Sequence, residues 1–112
     1  MTPNWRKLVK RIPSKVQIAR KLFYDVVWVS EFRDNNGVIN ESYVGLCDKN
    51  KRIIYILNTL SNKEKVLTYL HELIHAFSDE NDIGITERQV GLIEKKCLTF
   101  VIKSGNIFTW KL

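Results

Sequence analysis

The chain of 112 residues reads as an α+β domain: a small antiparallel sheet of about three to five strands, packed against one long helix and a second helix that follows it. Three observations predict this class. Residues 15–57 are rich in β-branched and aromatic residues, with turn signals between the runs. From about residue 62 the apolar residues recur at helical spacing behind a capping signal. At residue 86 a second capping signal opens another helical run.

Taken in order, residues 4–10 are expected as a short helix. Pro3 suits its first turn, Trp5, Leu8, Val9 and Ile12 give it one apolar face, and Pro13 ends it. Residues 15–19 form a short strand, and Arg20-Lys21 turns the chain back. Residues 22–32, with their Phe, Tyr, Val and Trp, are the strongest strand. Asp34-Asn35-Asn36-Gly37 offers a hairpin turn, because Asn-Gly tolerates positive φ. Residues 38–47 return as the next strand, with Gly45 placed at a bulge. Residues 48–51 turn again, and 52–57 (R-I-I-Y-I-L) run as a nearly continuous apolar strand. Read consecutively, these strands make a meander.

Ser61 and Glu64 stand as N-cap and N3 of a capping box, and Leu67, Leu70, Ile74 and Phe77 supply the apolar stripe of a helix over residues 62–78. Residues 79–84 are an acidic loop in which Glu80 and Asp82 are expected to be solvated. Thr86 and Gln89 form the second capping box, with Ile85 and Val90 spaced as its hydrophobic staple. The helix continues through Ile93, Cys97, Phe100 and Val101 to a stop at Gly105. In residues 106–112, Phe108 and Trp110 alternate with polar residues, as an edge strand would.

The length fits one domain over residues 1–112. With 45% hydrophobic and 27% charged residues, the composition is that of an ordinary soluble protein. No apolar run is long enough to span a membrane, and the N-terminus has no signal-like apolar region. Cys47 and Cys97 sit far apart in periodic segments and read as buried thiols of a reducing compartment, which points to the cytoplasm. The net charge of +6 is uneven: residues 1–21 hold seven Lys or Arg and no acid. This basic N-terminal helix and arm suits nucleic acid, an acidic protein partner, or simple solvation, and charge alone does not choose among them.

The chemistry concentrates in His71-Glu72-Leu73-Ile74-His75, an H-E-x-x-H pentapeptide. On a helix, the two imidazoles leave the same face one turn apart, within reach of one tetrahedral Zn²⁺. Glu72 points to one side, where its carboxylate can accept a proton from an activated water without binding the metal. The bland alternative is two packed histidines beside a solvated glutamate. Against it, these are the only two histidines in the chain, and they fall at ligand spacing. A catalytic zinc needs a third protein ligand and an open position. Glu87, in the first turn of the next helix, is the leading candidate. Asp79, one turn past His75, and Glu94, two turns past Glu87, are the others, with Asp79 better suited to orienting an imidazole. Tyr43, Tyr55, Tyr69 and Arg88 are candidate donors to an oxyanion. Strand 52–57 is a candidate edge for an extended peptide.

The run Gly45-Leu46-Cys47-Asp48, strand 52–57, the stretch from Thr68 through the pentapeptide to Ala76, and Ile85-Thr86-Glu87-Arg88-Gln89-Val90 together resemble a small zincin. More narrowly, they resemble the ImmA/IrrE-like and related phage-borne gluzincin metallopeptidases, over roughly residues 43–100. The resemblance implies a minimal zincin-like fold, His71 and His75 as zinc ligands, Glu72 as general base and Glu87 as third ligand. It also implies a bacterial or phage-infected host cell and a dedicated protein substrate. Two functions are therefore expected: a zinc-dependent peptidase, or a zinc-supported protein- or DNA-binding regulatory module without hydrolytic activity.

Overall fold

The structure is a computed structural model that describes residues 3–107. Its elements run α1 (Trp5–Lys10), β1 (Lys15–Ala19), β2 (Leu22–Val29), β3 (Gly45–Asp48), β4 (Ile53–Leu57), α2 (Asn62–Glu80) and α3 (Glu87–Ser104). The α+β class, the motif on a long helix and the helix that follows it are as the sequence predicts. Of the expected strand over residues 106–112, residues 108–112 lie outside the described residues, and Asn106 and Ile107 are not in a strand.

The sheet is mixed rather than a meander. Its order is β1-β2-β4-β3. β1 pairs antiparallel with β2, and β3 pairs antiparallel with β4, but β2 and β4 run parallel from Asp25↔Ile53 to Val29↔Leu57. The physical reason lies in β4. Ile54 and Ile56 are fully buried, and so apolar a strand is most stable with neighbours on both sides. Residues 30–44 carry the chain past that central place, β3 comes back on the outside, and β4 slots in between. Strand 52–57 is therefore no edge; β1 and β3 are the edges.

Two expected strands are also shorter than the sequence suggests. β2 ends at Val29, and β3 begins only at Gly45. Between them the chain turns at residues 34–37, held by Asp34 Oδ1, which accepts from Asn36 N–H (2.9 Å) and Val38 N–H (3.0 Å). Gly45 is not at a bulge. Its register with Ile56 is regular, and its role is close approach: a Cβ there would overlap the Thr68 Cγ2 methyl and come within 3.2 Å of Glu72 Cγ. The bulge lies instead in β1, between Gln17 and Ala19.

One face of the sheet presents Val16, Ile18, Tyr24, Val26, Ile54 and Ile56, all buried, to the helices. α2 meets them with Val66, Tyr69, Leu70 and Ala76, and α1 and α3 add Leu8 and Val101. Burying such side chains stabilises the fold by roughly 1.5–3 kcal/mol each. The helices start where their caps say. Ser61 Oγ accepts from Glu64 N–H (3.2 Å), and Thr86 with Gln89 forms the reciprocal capping box. α3 stops at Gly105, left-handed at φ 72°, whose carbonyl accepts from Arg11 Nη1 (2.6 Å). A Cβ there would lie 2.8 Å from that same guanidinium, so both backbone angle and space call for glycine.

Candidate metal centre

α2 carries the pentapeptide in its third and fourth turns, with its apolar stripe on the sheet. That orientation leaves His71 and His75 on the flank toward α3, both half-buried, with ring centroids 4.9 Å apart. Glu72 turns toward β3 and is 8% exposed. One donor atom from each of His71, Glu72 and His75 lies within 4.8 Å of the others, a cluster that can hold a metal ion.

The link between the helices spans residues 81–86. Its start is tightened by Asn81 N–H to the Phe77 carbonyl (3.2 Å) and Ile83 N–H to the Ser78 carbonyl (2.8 Å). The capping box then fixes Glu87 as the first helical residue, and α3 returns antiparallel along α2. The result is a convergence on Glu87. Its Oε1 lies 2.9 Å from His75 Nε2, and its Oε2 lies 3.5 Å from His71 Nε2. Two turns on, Glu94 Oε1 lies 3.6 Å from the other nitrogen of His71, Nδ1. Glu87 is open to solvent, its side chain 72% exposed, whereas that of Glu94 is 21% exposed.

Burial pushes the Glu72 carboxyl above its ordinary value; His71 and His75 pull it back, and Glu87 and Glu94 push it up further. Burial likewise raises Glu94, with His71 and Lys95 opposing. Cys47, on β3 beside this cluster, is pushed up to about 12, first by burial and then by the charges of Glu72 and Asp79. Asp79 is exposed and its charge is felt at Cys47, while Glu94 is the acid that faces His71 Nδ1.

A cleft of about 300 Å³ opens beside the cluster, lined by residues 42–44 and by Gly45 at the start of β3, by Leu67, Thr68, His71 and Glu72 from α2, and by Glu94. Of the four residues weighed as oxyanion donors, Tyr43 lines this cleft. Tyr69 is fully buried in the core, Tyr55 belongs to the central strand, and Arg88 is exposed in the first turn of α3. A second concavity, an apolar groove of about 310 Å³ between β1, α2 and α3, shares no lining residue with the cleft and carries no carboxylate, imidazole or amine. The titratable side chains of His71, Glu72 and Glu94 therefore line the first cleft and not the apolar groove.

Glu80 departs from the sequence reading of a solvated loop acid. It closes α2 and accepts from Tyr24 Oη (2.8 Å) and Arg52 Nε (3.2 Å). Nothing local in the sequence signals this contact, because Tyr24 lies on β2, far from Glu80 along the chain.

No family model, curated protein or solved structure matches the chain. Among the described residues, no helix is long and apolar enough to cross a membrane.

Proposed function

We propose that the chain is a zinc-dependent metallopeptidase of minimal zincin type, with His71, His75 and Glu87 as metal ligands and Glu72 as general base. The observation that carries this reading is the convergence of two imidazole Nε2 atoms on one carboxylate, at 2.9 and 3.5 Å. Two imidazoles and a carboxylate gathered this closely, His75 on one oxygen of Glu87 and His71 on the other, are a donor set that would hold one divalent ion. The donor chemistry, two neutral imidazoles and a carboxylate, suits zinc in its catalytic rather than structural setting. Such an ion, when bound, lowers the pKa of water and polarises a carbonyl.

The chain's own residues supply the rest. Glu72 is buried beside the ligands yet borders the cleft. Its raised proton affinity suits a base that takes a proton from the attacking water and delivers it to the leaving amine. Tyr43, on the cleft wall, is the side chain best disposed to donate to the developing oxyanion. Because β3 is an edge strand bordering the cleft, an extended peptide can lie along it and bond to its free backbone groups.

The test is hydrolysis of a peptide library by the zinc-loaded protein, with E72Q as control. Cleavage by wild type that E72Q lowers by at least about 100-fold supports the peptidase. Zinc binding with no cleavage in either protein would favour the regulatory binding module. For that module the partner surface would be the basic segment, where Arg6, Lys7 and Lys10 are exposed on α1. Binding to nucleic acid there would weaken steeply with salt.

A further inference from the structure

Glu87 and Glu94 lie seven residues apart on α3, so they share one face of it. They address the two nitrogens of one imidazole from opposite sides: Glu87 at His71 Nε2, 3.5 Å away, and Glu94 at His71 Nδ1, 3.6 Å away. An imidazole that binds an ion through Nε2 carries its proton on Nδ1, and a ring so loaded is steered by whatever accepts that proton. The Glu94 side chain, 21% exposed, is sunk between the helices with the His71 ring as its neighbour. The 3.6 Å contact stands just beyond hydrogen-bond range.

We propose that Glu94 is a positioning residue for the metal site. It does not ligate the ion but accepts the Nδ1 proton of His71, fixing the ring's tautomer and orientation so that Nε2 faces the ion. The proposal rests on the metal reading above and adds a task for a residue which that reading leaves idle. It also separates the roles of the two acids, with Glu87 in contact with the ion and Glu94 behind the histidine.

The experiment measures zinc affinity by competition with a chromogenic chelator, and the visible spectrum of the Co²⁺-loaded protein, for wild type, E94Q, E94A and E87A. Thermal midpoints of the metal-free proteins identify any variant that has lost its fold, and the isosteric E94Q guards against that outcome. E94A is expected to bind zinc about 10–100-fold more weakly than wild type. E94Q should fall between, since its amide oxygen still accepts the Nδ1 proton but lacks the charge. The Co²⁺ bands should stay in place in both Glu94 variants and change in E87A, which removes a ligand. E94A binding zinc within twofold of a metal-binding wild type would overturn this proposal alone. A Co²⁺ spectrum altered in E94A as in E87A would make Glu94 a ligand, and so overturn it too. Wild type binding neither ion would overturn the metal reading and this proposal with it.

Discussion

Glu72 stands where it does because Gly45 has no side chain. The β3 backbone can press against Thr68 and Glu72 only with a hydrogen at that position, and interiors this dense do not absorb an added methyl without shifting. G45A should destabilise the protein by about 1–3 kcal/mol in urea denaturation, and trimming the opposing methyl in G45A/T68S should recover most of that loss. A second test at this scale concerns Glu80. The Tyr24 hydroxyl holds its carboxyl below the usual range, with burial opposing and Arg52 assisting. Because the folded value is the lower one, the stability it contributes is complete above the unfolded value of about 4.3. That stability is lost as pH falls through the folded value. E80Q should therefore be less stable than wild type at pH 7, with the gap closing below about pH 4; parallel stability curves would contradict this. The two sites differ in how far the sequence discloses them. His71, Glu72 and His75 are legible because helix geometry alone puts them together. The Tyr24–Glu80 bond joins residues 56 positions apart, and no local period connects them.

The helices hold the candidate site together, and their ends do so through capping. Thr86 fixes where α3 begins and so where Glu87 points. T86A is expected to cost about 1 kcal/mol and also to weaken zinc binding, since the first turn would fray. S61A should cost a similar amount at the start of α2, two turns or more from His71, and leave zinc affinity unchanged. Chelator competition on both variants, beside their thermal midpoints, separates the two effects. These helix starts were readable because caps are chemical signals at fixed offsets, whereas α2 runs on to Glu80, two residues past its expected end at Ser78. The strand limits were not. Val38, Ile39, Tyr43 and Val44 look like strand residues, yet they are 60, 47, 52 and 41% exposed in the excursion of residues 30–44. Apolar type alone does not distinguish a strand from a loop that displays apolar residues beside a cleft.

At the scale of the whole molecule, the site depends on a sheet order that the sequence does not announce. Periodicity gives strands but not neighbours, and the parallel β2–β4 pair is set by burial of β4 across the domain. That order makes β3 the edge beside Glu72 and brings residues 42–45 to the cleft opposite His71 and Glu94. The antiparallel return of α3 along α2 completes the arrangement from the other side. The most direct test of this account is the zinc content of the purified protein, by elemental analysis after metal-replete preparation, for wild type, H71A, H75A and E72Q. The account expects about one zinc per chain in wild type and in E72Q, and little in either histidine variant. Wild type that emerges free of zinc would contradict it.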